Sequence, residues 1–146
     1  MSQETPDRYD LDLTLKLYEM RREAVTRQSR DALNMKFWPK SYADIKAVSS
    51  DFKHEMNAPW RQMVSYWEMV YGFARQGLCN ADFLVQNNAE GLFFFVKIKP
   101  YLEQLRKDAP MPVFQNTEWI SQNCENGRKY STLFETILKG MLERMK

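Results

Sequence analysis

Residues 60–76 read WRQMVSYWEMVYGFARQ, and this stretch decides the fold class. Its apolar side chains recur every three or four residues, which is the period of an α-helix. They cover more than half of the helix circumference, so the helix needs neighbours on most of its sides. We therefore expect it at the centre of a helical bundle, with Gly77 as the residue that ends it.

A second segment, LFFFV at residues 92–96, is the longest uninterrupted apolar run in the chain. It is apolar all round, which is typical of a helix buried on every side. A membrane span needs about 20 such residues, so no transmembrane segment is expected. Pro100 removes a backbone donor shortly afterwards and predicts a kink or a restart of the helix.

Helical periodicity, capping residues and prolines place further helices on both sides of these two segments. The sequence predicts a long helix from Asp10 to Phe37, a short one from Ser41 to His54, a break at Asn57 to Pro59, a short helix after Asn80, another started by Asn116 and ended by Asn126 and Gly127, and a last one from Lys129 to Met145. The fold class is therefore all-α: a single-domain helical bundle of five to seven helices, several of them short. Residues 1–9 are expected to form a flexible N-terminal segment and residues 10–146 the helical domain.

Composition excludes several classes of protein. The chain has 146 residues, of which 44% are hydrophobic and 14% aromatic, with 5 Gly and 2 Cys, so it is neither disordered nor a disulfide framework. The net charge of +2 provides no electrostatic footprint for nucleic acid. Cys79 and Cys124 lie in no metal-binding or redox spacing, and we expect reduced thiols, a cytoplasmic location, and no metal or cofactor.

Basic residues are concentrated in the second half of the predicted first helix. The set comprises Arg21, Arg22, Arg27, Arg30 and Lys36, with Lys40 just beyond it. Cations at the C-terminal end of a helix complement its dipole, and this is the favoured interpretation. The alternative is a patch that docks an anion.

Catalysis by acid and base would need two carboxylates facing a common cleft, and the candidates are Glu68 and Glu90. Glu68 lies at the border of the central apolar face, beside Trp67 and Tyr71, where a pocket would have to form. A border salt bridge or a helix-cap contact is the favoured role for Glu68. Glu90 lies in the first turn of its helix, where the dipole alone favours an acid. We therefore assign no catalytic residue.

The last helix carries an apolar stripe that continues almost to its end. Met141, Leu142 and Met145 extend this stripe, and adaptable Met side chains are well suited to partner surfaces. These three residues are our candidate interaction surface, for a second copy of the chain or for another protein. The alternative is that the stripe packs back on the first helix.

Three sequence elements resemble a family of small bacterial all-helical proteins of unknown function. They are Tyr66-Trp67-Glu68 followed by Gly77-Leu78-x-Asn80, the stretch from Pro100 to Arg106, and Tyr130-x-x-Leu133-Phe134-Glu135. The resemblance extends over roughly residues 41–145. It implies a helical bundle without an assigned activity, and it adds no catalytic residue.

Two functions of different classes follow as hypotheses. The first is a non-enzymatic interaction or scaffold domain that self-associates, because reactive constellations are missing and the terminal stripe is apolar. The second is a small-molecule binding protein or an enzyme, with a pocket beside the aromatic central helix.

Overall fold

The computed structural model describes residues 5–146, and these contain nine α-helices, one 3-10 turn and no strand. The helices are α1 (Arg8–Arg22), α2 (Ala24–Met35), α3 (Tyr42–Ser50), α4 (Asn57–Arg75), α5 (Ala81–Asn87), α6 (Glu90–Ile98), α7 (Leu102–Asp108), α8 (Gln115–Asn123) and α9 (Glu125–Arg144), with the 3-10 turn at Lys99–Tyr101. The predicted all-α bundle is confirmed, although residues 5–146 contain nine α-helices where five to seven were expected. Residues 1–4 of the expected N-terminal segment lie outside the described residues, and α1 already begins at Arg8.

The prediction of one helix from Asp10 to Phe37 is wrong, because the chain breaks at Glu23. Glu23 has φ −59° and ψ 141°, which is not a helical conformation. Its carboxylate accepts hydrogen bonds from the backbone N–H groups of Val25 at 3.1 Å and Thr26 at 3.0 Å. These bonds cap α2, and they hold the pKa of Glu23 below its ordinary value.

The predicted helix end at Asn126 and Gly127 is also wrong. Helix α8 ends at Asn123, Cys124 is extended, and Gly127 lies inside α9. A Cβ built on Gly127 would lie 1.8 Å from the carbonyl oxygen of Ile120. The glycine is needed because α9 crosses the end of α8 at close range, not because a helix stops there.

The central helix begins earlier than its apolar pattern indicates. The predicted break at Asn57 to Pro59 forms the first turn of α4, where proline has no helical hydrogen bond to lose. The actual break precedes it, because α3 ends at Ser50 and not near His54. Asn57 joins the two helices by donating its side-chain amide to the carbonyl of Val48 at 2.7 Å. Gly77 ends α4 as expected, with φ 74°.

Helix α4 lies at the centre and packs most extensively against α2 and α8. Helix α6 is buried along almost its whole length and packs against α9, α8 and α2. The two central helices meet through aromatic rings. The ring of Trp60 lies edge-on to Phe94 at 5.5 Å and to Phe114 at 5.8 Å. This cluster closes the core where the sequence places its two most apolar segments.

Candidate functional site

Glu68 caps a helix. Its carboxylate accepts hydrogen bonds from the backbone N–H groups of Asn116 at 3.1 Å and Thr117 at 2.8 Å, and from the Thr117 hydroxyl at 2.6 Å. One of the two roles expected for Glu68, a helix-cap contact, is confirmed, and the helix that it caps is α8. Asn116, predicted to cap this helix itself, lies in the first turn of α8 instead. Glu68 therefore fixes α8 to α4 and satisfies donors that a helix start leaves free.

The rings of Trp67 and Tyr71 pack against each other in the core. Their rings stack at 5.6 Å with an interplanar angle of 18°, and the Tyr71 hydroxyl donates to the carbonyl of Asn88 at 2.7 Å. A Cβ on Gly91 would lie 2.6 Å from the Trp67 ring, so α6 lies directly against both rings. Burial raises the pKa of Tyr71 well above its ordinary value. Trp67 is 3% exposed and Tyr71 is fully buried.

Glu90 joins α6 to α2. Its carboxylate forms an ion pair with Arg30, with one guanidinium nitrogen 2.7 Å from Oε2, and it also accepts a hydrogen bond from the Asn34 amide. Arg30 in turn donates to the carbonyl of Arg21 at 3.2 Å. Glu68 and Glu90 thus have separate partners in the fold.

The predicted basic residues are divided by the break at Glu23. Arg21 donates to the Asn88 side chain and to the carbonyl of Asn87, and Arg30 is committed to Glu90. The other members, Arg22, Arg27 and Lys36, are exposed. Two of the five cations thus hold elements together, and an anion patch on this set stays a prediction.

Lys97 was not among the residues singled out from the sequence. It is 3% exposed, and its ammonium group donates to the carbonyls of Leu33 at 2.9 Å, Asn34 at 3.0 Å and Phe37 at 3.0 Å. The Trp38 ring covers the same nitrogen at 3.9 Å from its centroid. Burial lowers the pKa of Lys97 to about 8. The signal in the sequence is a single lysine inside an otherwise apolar helix, LFFFVKI.

The two cysteines are free and buried. Burial raises the pKa of Cys79 and that of Cys124 to about 11, so both remain thiols near neutral pH. Within residues 5–146, no three His, Cys, Asp or Glu side chains are grouped closely enough to hold a metal ion. Neither thiol is therefore ionised near neutral pH as a nucleophile would be. Among the residues that the structure describes, neither belongs to a group that could bind a metal.

The C-terminal half of α9 has an uncovered apolar face. Leu142 is 41% exposed and Met145 57%, although both lie on the side of the helix that carries the half-buried Phe134 and Leu138 one to three turns earlier. Met141 is half-buried. The face that packs on the core near the start of α9 thus continues beyond the elements that cover it.

A groove of about 470 Å³ runs beside this half of α9, between the helix and the 3-10 turn. Its apolar lining consists of Val96, Pro100, Leu138 and Leu142. Charged side chains from Lys99 and from one edge of α9 also line it. Of the three residues predicted as an interaction surface, Leu142 lines this groove.

The more enclosed cavity beside the central helix lies at Trp60, away from Trp67 and Tyr71. It has a volume of about 250 Å³ and is bounded by α3 and α7. Tyr42 and Asp108 meet at its edge through a hydrogen bond of 2.5 Å, which raises the pKa of Tyr42 to about 12. Ligand pockets for small molecules usually measure about 300–1,000 Å³, so this cavity is small for that purpose.

A family model described as a domain of unknown function (DUF4760) matches residues 9–123. The match includes α1 and α2, which the resemblance in the sequence did not cover, and it ends at the last residue of α8. No curated protein and no solved structure matches the chain. None of the helices between residues 5 and 146 is both long and apolar enough to cross a bilayer.

Proposed function

This chain belongs to the DUF4760 family of domains of unknown function, and we propose that it is a non-enzymatic interaction domain that self-associates through the C-terminal half of α9. The observation that supports this function is the apolar face of Met141, Leu142 and Met145. Leu142 and Met145 are 41% and 57% exposed on the helix side that carries the half-buried Phe134 and Leu138.

Exposure of this face has a free-energy consequence. Full burial of one Leu or Met side chain contributes about 1.5–3 kcal/mol, so a partner that covers Leu142 and Met145 recovers part of that amount for each. Single exposed apolar residues are common on protein surfaces and need no partner. Leu142 and Met145 instead continue the apolar stripe of α9 at helical spacing. Such a stripe is typical of a helix face that packs against another helix.

The competing function, a small-molecule binder or enzyme, has less support. The residues predicted to line its pocket, Glu68, Trp67 and Tyr71, are engaged in a helix cap and a ring stack. The more enclosed cavity beside α4, at Trp60, measures about 250 Å³ and is below the usual size of a ligand pocket. A second cavity of about 490 Å³ at Arg75, the last residue of α4, is more open to solvent.

The test is the oligomeric state of two variants, Leu142→Glu and Met145→Glu. Sedimentation velocity from about 1 µM to about 500 µM spans the range in which weak specific dimers form. We expect the unaltered chain to dimerise within this range, and each variant to raise the dissociation constant at least about tenfold, because a carboxylate cannot be buried unpaired.

Met111→Glu is the matched control. Met111 is 72% exposed in the loop between α7 and α8, so the same change of charge there should leave association unaltered. A chain that stays monomeric throughout the range would contradict the proposed function. Equal weakening by all three variants would also contradict it, because the effect would then come from net charge and not from the α9 face.

A further inference from the structure

The charges beside the α9 groove alternate in sign along one edge of the helix. In chain order they are Glu135, Lys139, Glu143 and Lys146, and all four line the groove. The spacing of four residues keeps Glu135, Lys139 and Glu143 on the same side of α9, and Lys146 follows two residues beyond the helix end at Arg144. Leu138 and Leu142 lie between them and provide the apolar part of the groove on α9.

Among two-fold symmetric pairs, this alternation is self-complementary when the two copies of the helix run in opposite directions. A parallel pair in register places Glu135 opposite Glu135 and Lys146 opposite Lys146, which is repulsive at both ends. An antiparallel pair centred between Gly140 and Met141 places Glu135 opposite Lys146 at each end. The same register brings Lys139 close to Glu143 of the other copy.

We infer that the groove binds α9 of a second copy of the chain in this antiparallel register, an inference that rests on the proposed self-association. The contact is isologous, as closed two-fold dimers require. Leu138 and Leu142 of both copies meet in its middle, over Val96 and Pro100. Glu135 already pairs with Lys99 of its own chain at 2.8 Å, so Lys146 of the second copy completes a three-charge cluster at each end.

The size of the contact determines its strength. Residues 135–146 span about three helical turns, or roughly 16 Å. With the short apolar segment beside them they bury less than the roughly 800 Å² per partner of a standard interface. A reversible dimer with a dissociation constant of about 10–100 µM is therefore expected. Exposed charge pairs contribute little affinity each, but they select the direction and register of the pair.

Charge reversal tests the register. We expect Glu135→Lys alone and Lys146→Glu alone to raise the dissociation constant of the homodimer at least about fivefold, because each makes two attractive contacts repulsive. The double variant Glu135→Lys/Lys146→Glu should return to within about twofold of the unaltered chain. An equimolar mixture of the two single variants should form a one-to-one heterodimer with an affinity at least equal to that of the unaltered chain.

Asp31→Lys, on the exposed face of α2, is the control for net charge and should not change the association. Far-ultraviolet circular dichroism of each variant checks that the helices are intact. Rescue in the double variant and in the mixture would support the antiparallel register.

The other outcomes separate this inference from the proposed function. If the unaltered chain dimerises and Leu142→Glu disrupts it, but charge reversals at 135 and 146 change nothing, the register is overturned and the self-association stands. If Glu135→Lys weakens the dimer and the double variant does not restore it, the register is likewise overturned. A chain that remains monomeric overturns both, and the groove would then have to serve a helix of a different protein.

Discussion

At the scale of single residues, charged side chains that bind the ends of helices stabilise the packing of this bundle. The Glu68 carboxylate caps the start of α8. The Lys97 ammonium binds two of the last carbonyls of α2, those of Leu33 and Asn34, and the carbonyl of Phe37 just beyond the helix. Helix ends leave such donors and acceptors without partners inside the helix. The role of Glu68 could be predicted in part, because its position at the border of the apolar face is visible in the helical pattern. The role of Lys97 could not, because its three acceptors lie at the end of α2 and just beyond it, about 60 residues away.

The buried position of Lys97 predicts a specific pH dependence of stability. Its pKa is about 8 in the folded chain, against about 10.4 for an unfolded lysine. Between these two values the unfolded chain binds more protons than the folded one, so the free energy of unfolding rises with pH. We expect this rise to amount to about 1 kcal/mol between pH 7 and pH 9.

Urea unfolding at pH 7, 8 and 9, compared with Lys97→Met, isolates this contribution. The variant should lose about 1–3 kcal/mol at pH 7, since the carbonyls of Leu33, Asn34 and Phe37 then lack a donor. The difference in stability between the two proteins should also grow with pH. Lys107→Met, at a side chain that is 64% exposed, should follow the unaltered chain. A difference that is constant from pH 7 to pH 9 would contradict the lowered pKa.

At the scale of helices, the sequence pattern predicted those features that depend only on residues close together in the chain. The central helix, the buried LFFFV segment, the restart after Pro100 and the end at Gly77 all follow from periodicity and backbone preference. The break at Glu23 was missed because a glutamate that caps the helix after it looks, in the sequence, like an ordinary helical residue. Gly127 was misread for a related reason: its use depends on the distance between α8 and α9, which no local pattern contains.

Replacing each of the two glycines of α9 by alanine should therefore have opposite effects on the free energy of unfolding. Gly127→Ala should reduce the free energy of unfolding by more than about 2 kcal/mol, because the new Cβ would lie 1.8 Å from the carbonyl of Ile120 and backbone must move. Gly140→Ala should raise it by about 0.5–1 kcal/mol, because the new Cβ would lie 3.6 Å from the flexible Arg144 side chain and alanine favours the helix.

Thermal and urea unfolding of the two variants at one protein concentration provide the comparison. Both substitutions add one methyl group to the same helix, so each serves as the control for the other. Destabilisation by Gly140→Ala would show that the second half of α9 is more tightly enclosed than its exposed side chains indicate.

At the scale of the whole molecule, α9 has two halves with different roles. Its first half completes the core: Phe134 lies edge-on to Phe93 at 5.6 Å, and Ser131 and Gly127 are buried. Its second half carries exposed apolar side chains and alternating charges. The family match ends at residue 123, so the helix that we assign to self-association lies beyond the matched region. The core position of α9 could be inferred from its apolar stripe, whereas the groove beside it depends on how α6 and the 3-10 turn are placed.

This division predicts that the last two turns can be removed without loss of the fold. A chain that ends at Leu138 keeps the contact of Phe134 with Phe93 and the pair of Lys99 with Glu135, so it should stay helical and unfold cooperatively. Its free energy of unfolding should fall by less than about 2 kcal/mol, since only partly covered side chains are lost. The same chain should be monomeric at concentrations where the unaltered chain dimerises, because Leu142, Glu143 and Lys146 are gone.

A chain that ends at Cys124 loses the core half as well and should not fold. Circular dichroism, urea unfolding and sedimentation velocity on the two truncated chains distinguish these outcomes. If the chain that ends at Leu138 is unfolded, the second half of α9 is a part of the core and its exposed face is not free to dock a partner.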